Sequence, residues 1–258
     1  MNDPRFIEIE SADPAIKVIT LNRPEKRNAL SVALIEQLRD AIKDAANVDE
    51  CRAIILRGNG PVFCAGLDLK EAFSSDTTER SARSLADLYQ TLALSPLITI
   101  AAAQGAAMGG GVGLLAACDF VVAADDLRIG FPEVRRGLVA ALVTALLQRQ
   151  LPGRVLRELI LLGQTIEASR AQSIGLVNRV VPAAGLVDQA KQLAAEALQG
   201  APLAMQRTKK LLDDLSPRSL ADDLERALQY HMAARDSTEA AEGAAAFLEK
   251  REPRWRRT

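Results

Sequence analysis

The chain has 258 residues, 48% of them hydrophobic, enough for one sizeable core or for one domain with a helical appendage. Its formal net charge of −1 gives no global pull toward nucleic acid or a membrane surface, and 3% aromatics supply no platform for stacking bases. A single histidine, His231, argues against a histidine-based metal site or a Ser-His-Asp triad, and no apolar run reaches membrane-spanning length.

Ile7 and Ile9 alternate with polar residues ahead of Asp13-Pro14. Ile16, Val18 and Thr20 then line one face of a second run, with Ile19 on the other, which predicts a hairpin-like start. Asn22-Arg-Pro-Glu-Lys-Arg-Asn28 is a polar loop. Ser31 is placed to cap a helix whose apolar face is Leu34, Ile35, Leu38, Ala41, Ile42 and Ala45. Ala53 to Leu56 reads as a buried strand, and Leu85, Leu88, Tyr89 and Leu92 mark a helix. Leu97 to Ala103 reads as a strand again, followed by a glycine-rich turn and a small-residue helix ending near Cys118. Phe120 to Ala123 is a strand. From Leu138 helices dominate, with a short strand near Asn178 to Val181, and after Leu186 the pattern is helical as far as Phe247. Strands alternating with helices predict an α/β core over residues 1–185 and a helical region over 186–258. Cys51, Cys64 and Cys118 are odd in number and lack metal-ligand spacing. They predict buried thiols in a reducing compartment, and Met1-Asn-Asp-Pro-Arg5 has no signal-peptide pattern, so a soluble, cytoplasmic protein is expected.

The chemistry concentrates in two bends, Pro61-Val-Phe-Cys-Ala-Gly-Leu-Asp68 and Gly105-Ala-Ala-Met-Gly-Gly-Gly-Val-Gly113. Each follows an apolar run and leads toward a helix, so each leaves backbone N–H groups free. Two such bends on neighbouring strands aim two donors at one oxygen, an oxyanion hole suited to a carbonyl or thioester. A rival reading is the dinucleotide fingerprint, because Gly111-Val-Gly113-Leu-Leu-Ala116 fits G-x-G-x-x-A and Glu133 lies about twenty residues on. Against it, the preceding strand ends near Ala103 or Gln104 and the motif falls inside the predicted helix.

Phe131-Pro132-Glu133-Val134 places an acid in an apolar setting. Partial burial raises a carboxyl pKa and suits it to moving protons near neutral pH, although a first-turn glutamate also complements a helix dipole. Asp68 is expected to cap the helix beginning Leu69-Lys70-Glu71, Asp119 to sit in a turn, and Asp76, Glu79 and Arg80 to form a solvated loop. The basic tail Lys250-Arg-Glu-Pro-Arg-Trp-Arg-Arg257 is either a solvated end or a contact for phosphates.

Leu21-Asn-Arg-Pro-Glu-Lys-Arg-Asn-Ala-Leu30, Phe63-Cys-Ala-Gly-Leu-Asp68, Gly105 through Asp119, Phe131-Pro-Glu133 and Gly175-Leu-Val-Asn178 stand in the order found in the crotonase family. With Ala246-Phe-Leu-Glu-Lys-Arg251, the sequence resembles this enoyl-CoA hydratase/isomerase superfamily over nearly its whole length. The resemblance implies a spiral of ββα units, a C-terminal helical trimerisation region, and a homotrimer or hexamer. It implies an acyl-CoA thioester as substrate, with no metal or redox cofactor, since coenzyme A belongs to the substrate. The Leu67 and Gly110 N–H groups would form the oxyanion hole and Glu133 would be the general acid/base. Lys26, Arg27, Ala65, Lys70, Phe247 and Lys250 would surround the substrate and its CoA, and His231 falls where some members set an aromatic ring against adenine. The acyl pocket would be walled by residues Ala72 to Leu88 and by the helix near Leu138.

One position departs from the family. The hydratases use two catalytic glutamates, and the second is replaced here by Gly113. The resemblance therefore implies acyl-CoA enolate chemistry, with hydration of a 2-enoyl-CoA as the leading expectation. Δ3-Δ2 isomerisation by a single glutamate, or a CoA-ester binding homologue without catalysis, are the alternatives.

Overall fold

A computed structural model of the protein describes residues 5–72 and 78–255. Asp76, and Arg256 and Arg257 of the basic tail, lie outside the described residues.

Among the described residues, nine strands form two sheets. The larger contains β1 (Ile7–Asp13), β2 (Ile16–Leu21), β3 (Ala53–Gly58), β4 (Ile98–Ala103), β6 (Phe120–Ala124) and β9 (Arg179–Val181), hydrogen-bonded in that order. β1 and β2 are the antiparallel hairpin, and every later pair is parallel. Strand periodicity sorts the side chains onto two faces. Ile19, Leu21, Ile54, Leu56, Ala101, Val121 and Ala123 enter one core, and Ile16, Val18, Ala53, Ile55, Ile100 and Val122 enter the other.

The helices cover both faces. α1 (Val32–Ala46) is capped by Ser31, whose hydroxyl accepts from the Leu34 N–H at 3.3 Å, and the six predicted apolar residues are buried. α2 (Leu69–Ala72), α3 (Thr78–Ala93), α4 (Gly110–Ala117), α5 (Ala141–Leu147), α6 (Gly153–Leu162) and α7 (Ala168–Ser173) follow. α8 (Leu186–Ala197) sets Leu186, Ala190, Leu193 and Ala194 on the second core. α9 (Pro202–Asp214) buries no residue and is tied down by Lys209, whose ammonium donates to Leu97 O at 2.6 Å and pairs with Asp119 at 2.7 Å. Asp119 also accepts from the Thr99 N–H and hydroxyl, so the predicted turn residue is an anchor as well. α10 (Leu220–Arg235) packs on α3 and α5, and α11 (Thr238–Leu248) packs on the turn at Pro132–Arg136.

The smaller sheet corrects the sequence reading. β5 (Ala106–Met108), β7 (Arg128–Gly130) and β8 (Thr165–Glu167) pair in that order, each over three residues, which is too short for alternation to register in sequence. β4 ends at Ala103 as expected, but the unforeseen β5 brings a second strand up to Met108, directly before the glycine turn. The G-x-G-x-x-A match still lies within α4, whose first residue is Gly110.

All three cysteines are buried and unpaired by disulfides, as predicted. Burial pushes the Cys64 thiol up to about 12 and raises Cys51 and Cys118 as well. No helix of the described residues is long and apolar enough to cross a membrane.

Candidate active site

The two bends come together through the chain segment at 63–68. On one side Phe63 N donates to Gln104 O at 3.0 Å, Cys64 N to Ala106 O at 3.1 Å, and Met108 N to Cys64 O at 3.0 Å. On the other, Leu30 N donates to Gly66 O at 2.8 Å and Asp68 N to Leu30 O at 3.0 Å. The Leu67 N–H is left between these bonds without an acceptor among the described residues. The Gly110 N–H opens α4, where a first-turn amide has no carbonyl four residues back to bond. These two amides are neighbours: the Leu67 nitrogen lies 3.5 Å from the point a Cβ on Gly110 would occupy.

The polar loop ahead of this segment is held from inside. Asn28 is fully buried, donates to Asn59 O at 2.9 Å and Val62 O at 2.8 Å, and accepts from the Arg23 N–H. Arg27 and Asn28 both have positive φ, a rare backbone state for which Asn is one of the better-suited residues. Arg23 pairs with Asp68 at 2.8 Å, fastening the loop to the start of α2. Asp68 also accepts from the Lys70 N–H at 3.2 Å, the predicted capping role.

Glu133 lies in a 3-10 turn directly after β7 and Phe131. Its Oε1 would be 2.5 Å from any Cβ on Gly109, and Gly109 has φ +47, so glycine there admits both the turn and the carboxylate. The Glu133 Oε2 is buried without a hydrogen-bond partner. Burial pushes the carboxyl up to about 7, partly offset by the backbone and by Arg136. Near neutral pH the group therefore exists in both protonation states, which general acid/base work requires.

One pocket gathers Ala65, Leu67, Gly110 and Glu133, four of the residues singled out in the sequence. Leu85, from the expected wall Ala72 to Leu88, and the segment from Leu138 to Val143 line it too, while positions 73–77 of that wall lie outside the described residues. Lys26, Arg27, Lys70, Phe247 and Lys250 do not line it, and all five are exposed. One of them, Phe247, reaches its rim through Arg136, itself a lining residue. The Arg136 guanidinium stacks 4.6 Å above the Phe247 ring, and the Arg27 charge bears on it. His231 lines this pocket as well, and nothing in the structure sets it against a nucleotide. Among the described residues no group of three His, Cys, Asp or Glu side chains is gathered to hold a metal.

The structure explains Gly113. A Cβ at that position would overlap the hydroxyl and ring of Tyr89, a fully buried side chain on α3. The Tyr89 hydroxyl donates to Gly110 O at 2.7 Å. The space beside α4 is thus filled from outside the glycine-rich segment. Sequence reading marked Tyr89 only as an apolar helix residue, and no local pattern links positions 89 and 113. Arg136 and Arg235, also in the pocket, were not singled out either. The one available signal for Arg235 was its four-residue spacing from His231.

A family model for enoyl-CoA hydratase/isomerase matches residues 11–258. A putative enoyl-CoA hydratase of Thermus thermophilus is 38% identical over 257 residues, covering 97% of this chain and all of that protein. The 2,3-dehydroadipyl-CoA hydratase of Escherichia coli is 33% identical, with 95% and 96% covered. The crystal structure of an enoyl-CoA hydratase from Mycobacterium avium superposes with a TM-score of 0.87 at 31% identity, over 98% of this chain and all of that one. The α/β fold and its helical C-terminal region are those of this group, and the chain belongs to the enoyl-CoA hydratase/isomerase family.

Proposed function

We propose that the protein hydrates a 2-enoyl-CoA to a 3-hydroxyacyl-CoA. The observation that carries this reading is the convergence of two acceptorless amides, Leu67 and Gly110, on the pocket that holds a carboxyl poised near pH 7. The two N–H groups hold the thioester oxygen. Glu133 takes a proton from water as the water oxygen bonds to C3, and the C2–C3 π electrons move onto the thioester as an enolate. The enolate then collapses, and the protonated Glu133 returns the proton to C2. One carboxyl serves in both steps. Its raised pKa supports this, because neither protonation state is costly at neutral pH.

The Tyr89 side chain favours a second reading. It occupies the room beside Gly113, so the pocket operates with one carboxylate. Moving a proton from C2 of a 3-enoyl-CoA to C4 needs only Glu133 and the two amides. Loss of the conjugated-thioester absorbance with 2-enoyl-CoAs supports hydration. Gain of that absorbance with 3-enoyl-CoAs supports isomerisation, and no reaction with either sinks both.

The exposed cations Lys26, Arg27, Lys70 and Lys250, with Phe247, are assigned to the CoA moiety. The Phe247 contact with Arg136 at the rim, and the Arg27 charge that bears on the same guanidinium, support this assignment. A homotrimer or hexamer is the expected assembly. In support, α9 exposes Leu203, Leu211 and Leu212, with Leu215 just beyond, an apolar surface that monomers seldom leave open. Sedimentation at micromolar concentration tests it, and a monomer would refute it.

A further inference from the structure

The pocket has a polar wall that the proton transfer does not use. His231 and Arg235 stand four residues apart on α10, one turn from each other on one face, and both line the pocket with Glu133. Arg235 is only 8% exposed. Burial lowers its pKa to about 10, so it stays charged at neutral pH. Burial and the Arg235 charge push His231 down to about 4, so the ring is neutral, although a bond to the Val139 backbone opposes that shift. The His231 Nε2 is buried without a partner. The surrounding wall is apolar: Leu69, Leu85, Leu138, Leu142 and Val143.

A simple alkyl chain would need only the leucines and the valine. It would leave Nε2 unsatisfied, at a cost of about 1–3 kcal/mol. An oxygen brought between the ring and the guanidinium changes this. A hydroxyl accepts from Arg235 and donates to Nε2. A carboxylate accepts from Arg235 with the added benefit of opposite charge, and accepts from Nε2 once the ring takes up a proton, which the neighbouring anion favours. Building on the proposed acyl-CoA chemistry, we infer that the α10 wall reads an oxygen substituent on the acyl chain, beyond the reacting carbons, and that the preferred substrate is an oxygenated acyl-CoA.

Three 2-enoyl-CoAs of equal chain length, ending in methyl, hydroxymethyl or carboxylate, test this by kcat/KM. The matched saturated acyl-CoAs, titrated calorimetrically, read the pocket even if none of the enoyl esters turns over, which separates failure of this inference from failure of the proposed reaction. One oxygenated ester should be favoured over the methyl ester by about tenfold or more, the scale of one hydrogen bond to a charged group. The arm that wins identifies hydroxyl or carboxylate. In His231→Leu and Arg235→Met that ratio should fall by about tenfold, with the methyl ester weakened less. Equal or better use of the methyl ester in both measurements overturns the inference. So does a fall of all three esters together in both variants, which would mark α10 as a packing element only.

Discussion

The two ends of the glycine-rich stretch from Gly109 to Gly113 use the absence of a side chain in opposite ways. At its start, Gly109 and Gly110 keep space open, which a catalytic-type carboxylate and a free amide occupy. One turn later, Gly113 also lacks a Cβ, yet its space is closed by the Tyr89 ring. A glycine in a site therefore says only that something comes close. What comes close is decided elsewhere in the fold, here by the turn after β7 at one end and by α3 at the other.

The largest expected effect falls at the open end. Glu133→Gln should lower turnover by about 10²–10⁴-fold, the usual range for a general acid/base, and near-normal rates would assign the proton to another group. At the closed end the effect is on folding. Gly113→Ala drives a methyl into a ring that is fully buried, and should cost about 1–3 kcal/mol in chemical denaturation. Adding Tyr89→Ala should be markedly non-additive, because the second change removes the clash. Additive losses would break the comparison between the two ends.

Tyr89→Phe sharpens it further. The ring stays and the hydroxyl bond to Gly110 O is lost, so stability should fall by about 1–2 kcal/mol, with loss of activity smaller than in Glu133→Gln. The smallest effect is in pH dependence. The Glu133 carboxyl is raised from its ordinary value of 4.5 to about 7. The folded state thus binds that proton more tightly than the unfolded one, and stability falls as pH climbs through that window. Glu133→Gln removes this loss, so the variant should gain on the wild type between pH 4.5 and 7, by up to roughly 1–3 kcal/mol above it. A constant difference across that range would mean the carboxyl is not perturbed.

Much of the larger sheet was legible because its strands are long enough to alternate and its helices long enough to show a face. The Ser31 cap and the apolar stripe of α1 were readable residue by residue. The smaller sheet was not, since its three-residue strands leave no period, although the equally short β9 was anticipated near Asn178 to Val181. Within the site, the glycine bends and the acid after a proline are local signals, but the roles of Leu67, Gly110 and Glu133 became readable only through the family resemblance. Tyr89 opposite Gly113 and Arg136 beside Glu133 are contacts across distant sequence, with no local mark. His231 was visible as the lone histidine, but its place in the pocket depends on how α10 packs against α3 and α5.

In the proposed reaction, Glu133 and the Leu67 and Gly110 amides make and quench a thioester enolate. Turning over 2-enoyl- and 3-enoyl-CoAs in deuterium oxide, with mass spectrometry of the recovered esters, tests it most directly. The wild type should place deuterium on carbon, at C2 on hydration or at C2 or C4 on isomerisation, and Glu133→Gln should place almost none. A hydrated ester without deuterium at C2 from the wild type, or hydration and isomerisation retained in full by the variant, would contradict it.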